Sequence, residues 1–173
     1  MNDGLIDALG HNAWAMRELL RVCRELTPAQ LQATAPGTYG SISETFRHIV
    51  SSEARYYARL AGEPLPSEGT VECPNLDEFA ARVDDLAGTW DRYLAQPFDA
   101  DRTLVVPWND GHDYDVPAGV ILVQAIHHGN EHRAHGLHRA VVDRRDAAGV
   151  GSVGPRRGDA SREAAGRVAI PVI

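Results

Sequence analysis

The sequence predicts an all-α protein: a four-helix bundle with a short hairpin before its last helix and an irregular C-terminal tail. Three observations carry this reading. Apolar residues recur every three or four positions in separate stretches, capping residues and Pro/Gly clusters separate those stretches, and two β-prone runs flank Asn109-Asp110-Gly111. The bundle is assigned to residues 1–143 and the tail to 144–173. No internal repeat is visible.

The first helix is expected from about Asp3 to Glu25, with Leu5, Leu9, Met16, Leu19, Cys23 and Leu26 as its apolar stripe. Thr27-Pro28 stops it or starts a new turn. The stretch from Ala35 to Gly40 reads as a loop because Pro36, Gly37 and Gly40 punctuate it. Ser41 with Glu44 three positions on forms a capping box for the second helix. Its stripe is Ile42, Phe46, Ile49, Glu53, Tyr56 or Tyr57, and Leu60, and Gly62 closes it. After a loop containing Pro64, Pro66 and Pro74, Asn75 caps a third helix that ends near Gln96. Leu76, Phe79, Val83, Leu86, Trp90 and Leu94 form its stripe.

Between Pro97 and Pro117, the runs Thr103–Val106 and His112–Tyr114 on either side of Asp110-Gly111 predict a hairpin, or at least an ordered turn. The fourth helix is expected to start near Pro117, a residue tolerated at the first helical position. It runs through Ile121, Gln124, Ala125, His128 and His132. From about Arg144 the chain is rich in Gly, Arg and Ala without a sustained period, so a disordered extension is expected.

Bulk composition narrows the function classes. The chain has 173 residues, 43% hydrophobic and 24% charged, ample for a core without staples. Its net charge of −7 argues against non-specific nucleic-acid binding, which depends on basic side chains. Cys23 and Cys73 are too few for a disulfide framework and fit no cysteine-based zinc site. The N-terminus lacks the pattern of a secretory signal, and no apolar run is long enough to span a bilayer. A cytoplasmic protein acting on a small molecule, with no nucleic-acid or membrane partner, is expected.

Histidine is where the sequence points to chemistry. Of His11, His48, His112, His127, His128, His132, His135 and His138, five crowd the fourth helix. His128 and His132 are four apart, so they share one face, the inward stripe of Ile121 and Ala125. A neutral imidazole brings one donor and one acceptor into the core, and two charged rings would repel. A divalent ion resolves both problems by taking one lone pair from each ring. His48 is the expected third ligand. It flanks the stripe of the second helix beside the small side chains of Ser41, Thr45 and Ser52. Three protein ligands with open positions suit catalysis rather than structure. Gly129 beside His128 is unfavourable in a helix and signals close backbone approach.

His128-Gly-Asn-Glu131-His132 also spells H-x-x-E-H, a metalloprotease signature. That family needs a longer chain and a downstream acidic ligand. Glu131 falls off the inward stripe, so a solvated or supporting carboxylate is its expected role. Tyr39, Arg55 and Trp108 are pocket-lining candidates that packing or surface roles explain equally well.

The segments His11-Asn12-Ala13-Trp14, Thr38-Tyr39-Gly40-Ser41-Ile42, Thr45-Phe46-Arg47-His48-Ile49 and His127-His128-Gly129-Asn130-Glu131-His132-Arg133 together resemble the DinB/YfiT-like superfamily over residues 5–134. The resemblance implies a four-helix bundle with one divalent ion, typically zinc or nickel, on His48, His128 and His132. It also implies a homodimer, and either transfer of a low-molecular-weight thiol to an electrophile or hydrolysis. The competing expectations are a non-catalytic metal-binding or ligand-sensing bundle, and a bundle whose histidines are merely hydrogen-bonded. The chain departs from the family pattern after Arg133, where His135 and a basic, Gly-rich tail replace a Gln, an apolar helix and an acidic, Trp-containing end. A one-base frameshift near Ala134 would produce such a tail if GC-rich codons are assumed.

Overall fold

Helix α1 runs Asp3–Cys23, α2 Pro28–Gln32, α3 Ile42–Ala61 and α4 Leu76–Leu94 in the computed structural model; strands β1 Thr103–Pro107 and β2 Asp113–Pro117 follow, and α5 spans Ala118–Ala147. The structure describes residues 2–34, 38–67, 75–107 and 110–147, with side chains to position 135. The expectations for Cys73, Pro74, Trp108 and the side chain of His138 lie outside the described residues, as does the tail from 148 onward. The backbone of α5 is helical past Arg144, so the expected start of the tail falls within a helix.

Local chemistry explains most of the boundaries. Thr27 starts a new turn rather than merely ending the old one: its hydroxyl accepts from Gln30 N–H while the Gln30 side chain accepts from Thr27 N–H, a full capping box for α2. Ser41 and Glu44 form the same reciprocal pair at the start of α3, with Ser41 N–H donating to Glu44 Oε2 at 2.7 Å. Gly62 ends α3 in the left-handed region at φ 70°, where L side chains are strained. Asn75 accepts from Asp77 N–H and Glu78 N–H to start α4. Helix α1 ends at Cys23 and α4 at Leu94, each slightly before the ends expected at Glu25 and Gln96, and α3 closes at Gly62 as expected.

The hairpin forms as expected, with Thr103 paired to Pro117 and Pro107 to Asp113. Gly111 has φ 84° in its turn, a conformation open to glycine. Pro117 is the last residue of β2 rather than the first of the helix. Ala118 N–H and Gly119 N–H donate to Arg102 O and Ala100 O, both at 2.8 Å, so the loop before β1 caps α5. A Cβ on Gly119 would stand 3.1 Å from the Ala100 methyl, so glycine permits this close seat.

Two apolar clusters fill the bundle. One joins Met16, Leu20 and Cys23 of α1 to Phe46, Ile49 and Val50 of α3 and Phe79 and Val83 of α4. The other joins Leu60, Trp90, Leu94, Val106, Val116, Ile121 and Leu122, so the hairpin closes that half of the core. Cys23 is fully buried, a small apolar core residue. No helix among the described residues is long and apolar enough to cross a membrane.

Phe46 is fully buried and packs edge-on against Phe79 with ring centroids 5.8 Å apart. Phe46→Ala is expected to cost about 3–5 kcal/mol of stability, whereas Ser41→Ala, which removes only a cap, is expected to cost about 1 kcal/mol. Urea unfolding of the two variants against wild type measures the difference.

Candidate metal centre

Each expected ligand is delivered by its helix as the spacing requires. The capping box at Ser41 sets where α3 begins, and His48 then falls on the edge of its buried face beside Thr45. Thr45 is buried and satisfies its hydroxyl by donating to Ser41 O at 2.9 Å, so it adds no competing polar group. On α5 the buried row Ile121, Ala125 continues into His128, which is only 5% exposed, and then into half-buried His132. Ligand nitrogens of His48, His128 and His132 all lie within 4.8 Å of one another.

The contacts within the trio fix its charge state. His48 Nε2 and His128 Nε2 are 2.9 Å apart, so one ring donates and the other must accept. The His132 ring lies 4.6 Å from that of His48 and 4.4 Å from that of His128. Burial, then repulsion from His132 and His48, pushes the His128 pKa down to about 3. Burial and His48 bring His132 down to about 4, against an opposing pull from Glu131. Both rings are therefore neutral at pH 7, each with one unprotonated ring nitrogen. His132 Nδ1 is buried without a hydrogen-bond partner.

This donor set fits a divalent ion. Two nitrogens on one zinc ion, each at about 2.0–2.1 Å, stand roughly 3.4 Å apart in tetrahedral geometry. The separations within the trio bracket that value, so small ring rotations suffice. Three neutral imidazoles suit Zn, Ni, Cu or Fe and disfavour Mg and Ca.

Two further layers surround the trio, and only one was weighed from the sequence. Tyr39, a pocket-lining candidate, stacks on His48 at 4.0 Å with 19° between planes and meets His132 edge-on at 5.1 Å. Half of it remains exposed, so it roofs the site at the surface. Arg55 is held instead by the Pro66 carbonyl at 2.6 Å. Glu131 lies on the exposed side, 4.0 Å from His127, in keeping with a solvated carboxylate.

The second layer is a polar network behind α5. Buried Arg133 donates through Nη2 to Asn12 Oδ1 and Asn130 Oδ1, each at 2.5 Å. Glu53 on α3 accepts from Trp90 Nε1 at 3.0 Å, and its charge and that of Arg133 favour one another. The sequence held two signals for this layer, a glutamate within the apolar stripe of α3 and the glycine at 129 inside the last helix.

The DinB family model matches residues 1–140. A crystal structure of a conserved protein from Enterococcus faecalis superposes with a TM-score of 0.58 at 17% identity, covering 86% of this chain and 98% of that one. At that identity the likeness speaks for the fold. No curated protein matches this chain in sequence.

The depressed pKa values make metal-free stability depend on pH. Below about pH 6.5 the unfolded chain takes up protons at positions 128 and 132 that the folded chain refuses. The stability contributed by these neutral rings is complete above that pH and is lost as pH falls toward the folded values of about 3 and 4. Burial raises the pKa of Glu53, which works in the opposite direction. Comparison with His128→Gln isolates the histidine part: between pH 7 and 5, chelator-treated wild type should lose more melting temperature than the variant, and parallel curves would contradict the assignment.

Proposed function

This chain belongs to the DinB family, and we propose that it is a metal-dependent enzyme in which His48, His128 and His132 hold one zinc or nickel ion and a small nucleophile, a low-molecular-weight thiol or water, is activated for attack on an electrophilic substrate. The observation that carries this reading is the convergence of three imidazoles, two of them held neutral, at the surface end of a buried row. A hydrogen-bonding role alone explains it poorly. The orphaned His132 Nδ1 and the lowered pKa values are costs that a purely structural cluster would not have to carry.

When bound, a divalent ion supplies Lewis acidity, drawing electron density from a neighbouring thiol or water and so lowering its pKa toward neutrality. The residues of the chain do the rest. His128 and His132 present lone pairs from adjacent turns of one helix, and His48 presents a third from across the interface with α3. Tyr39 covers one side of His48 and meets His132 with its edge, which shields those faces of the rings from water. Three neutral ligands leave the positive charge of an ion uncompensated, which favours an anionic nucleophile such as a thiolate.

Elemental analysis after reconstitution with Zn or Ni tests the centre. Wild type is expected to carry about one ion per chain, and His48→Ala, His128→Ala and His132→Ala are each expected to lose it. No metal in reconstituted wild type would sink the three-histidine centre. Loaded protein that turns over neither thiol-transfer nor ester substrates would reduce the reading to a metal-binding bundle.

A further inference from the structure

We propose that Arg133 is a positioning residue of the metal centre: by joining α5 to α1 it sets the rotation of α5 about its own axis at which His128 and His132 face His48. The inference rests on the metal-centre reading. Gly129 and Arg133 each directly follow a ligand in sequence, so their face lies about 100° around α5 from the ligand face. A helix whose one face must present two imidazoles inward needs a second contact to stop it rolling, and this network provides one.

Its construction is specific. Asn12, 2% exposed on α1, accepts from Arg133 Nη2, and Asn130 accepts from the same nitrogen one turn back. The charge of Glu53 on α3, the helix that also carries His48, favours the charged guanidinium. The helix that carries two of the ligands is thus tied to α1 through one guanidinium nitrogen of a planar group that the lysine ammonium does not reproduce.

Gly129 is part of the same device. A Cβ there would stand 2.8 Å from Arg133 Nη1 and 3.3 Å from Asn12 Nδ2. A guanidinium at the end of a flexible chain could move aside, but here moving aside breaks its hydrogen bonds to Asn12 and Asn130. The helix accepts an unfavourable glycine next to His128 so that the guanidinium can lie across its backbone.

Titration of the full chain with Co(II), followed by its visible absorption, tests the role. Arg133→Met, Arg133→Lys and Gly129→Ala are each expected to weaken binding roughly 10–100-fold and to change the ligand-field spectrum, and Gly129→Ala combined with Arg133→Met should be no worse than either alone. Val83→Ala, a cavity in the other cluster, serves as the control: it should lower the metal-free melting temperature and leave affinity and spectrum unchanged. Variants at 129 and 133 that lose melting temperature as Val83→Ala does, with wild-type affinity and spectrum, would show a purely stabilising network and overturn the positioning role. Wild type that binds no Co(II) would instead overturn the metal centre itself, and this inference with it.

Discussion

Three imidazoles pressed together at the seam between α3 and α5 are the constraint to which the surrounding structure answers. Hydrocarbon in those positions would pack without polar obligations. Imidazoles at the same positions must stay neutral, must share donors and acceptors, and must be kept from rotating away into solvent. The fold meets these demands with small or self-satisfied neighbours such as Thr45, with Tyr39 laid flat on His48, and with depth enough at His128 to keep protons off.

Charge is sorted by layer. The ligand face of α5 is neutral, and the adjacent face carries the Arg133 guanidinium with the Glu53 carboxylate across from it. Opposite charges that attract one another offset part of each other's loss of water, whereas a buried guanidinium without polar partners would be costly. An ion among neutral imidazoles would then be the one unbalanced charge in the neighbourhood. That asymmetry would favour anions on the open side of an occupied centre.

Most of the scaffold was legible because its determinants are local. Period and caps lie within a few residues of one another, so the four long helices, the capping box at Ser41 and the Asp-Gly hairpin could be read from the chain, and so could His128 and His132, one helical turn apart. His48 was legible from its place on a stripe edge with small neighbours. Tyr39 was seen but not assigned, because its stack depends on how the loop before Ser41 folds back over α3, which no periodicity encodes. Arg133 stayed hidden for a similar reason: its partner Asn12 lies 121 positions away. Glu53 and Gly129 each broke a local rule, and both breaks proved to mark the same network. Pro117 shows the usual uncertainty at element boundaries, where strand pairing with Thr103 outweighed its fitness for a first helical turn.

The clamp at Ala118 and Gly119 gives the hairpin a mechanical meaning. Helix α5 leaves the strand directly, pinned at its root by the carbonyls of Arg102 and Ala100. His128 sits ten residues out on this rigid arm, about 15 Å from the pin. A tilt of about 5° at the root would swing the imidazole by about 1 Å, more than the roughly 0.5 Å that a working site tolerates. The root beside the hairpin aims two of the ligands, and small substitutions there, at Ala100 or Gly119, would be felt at the far end of the lever.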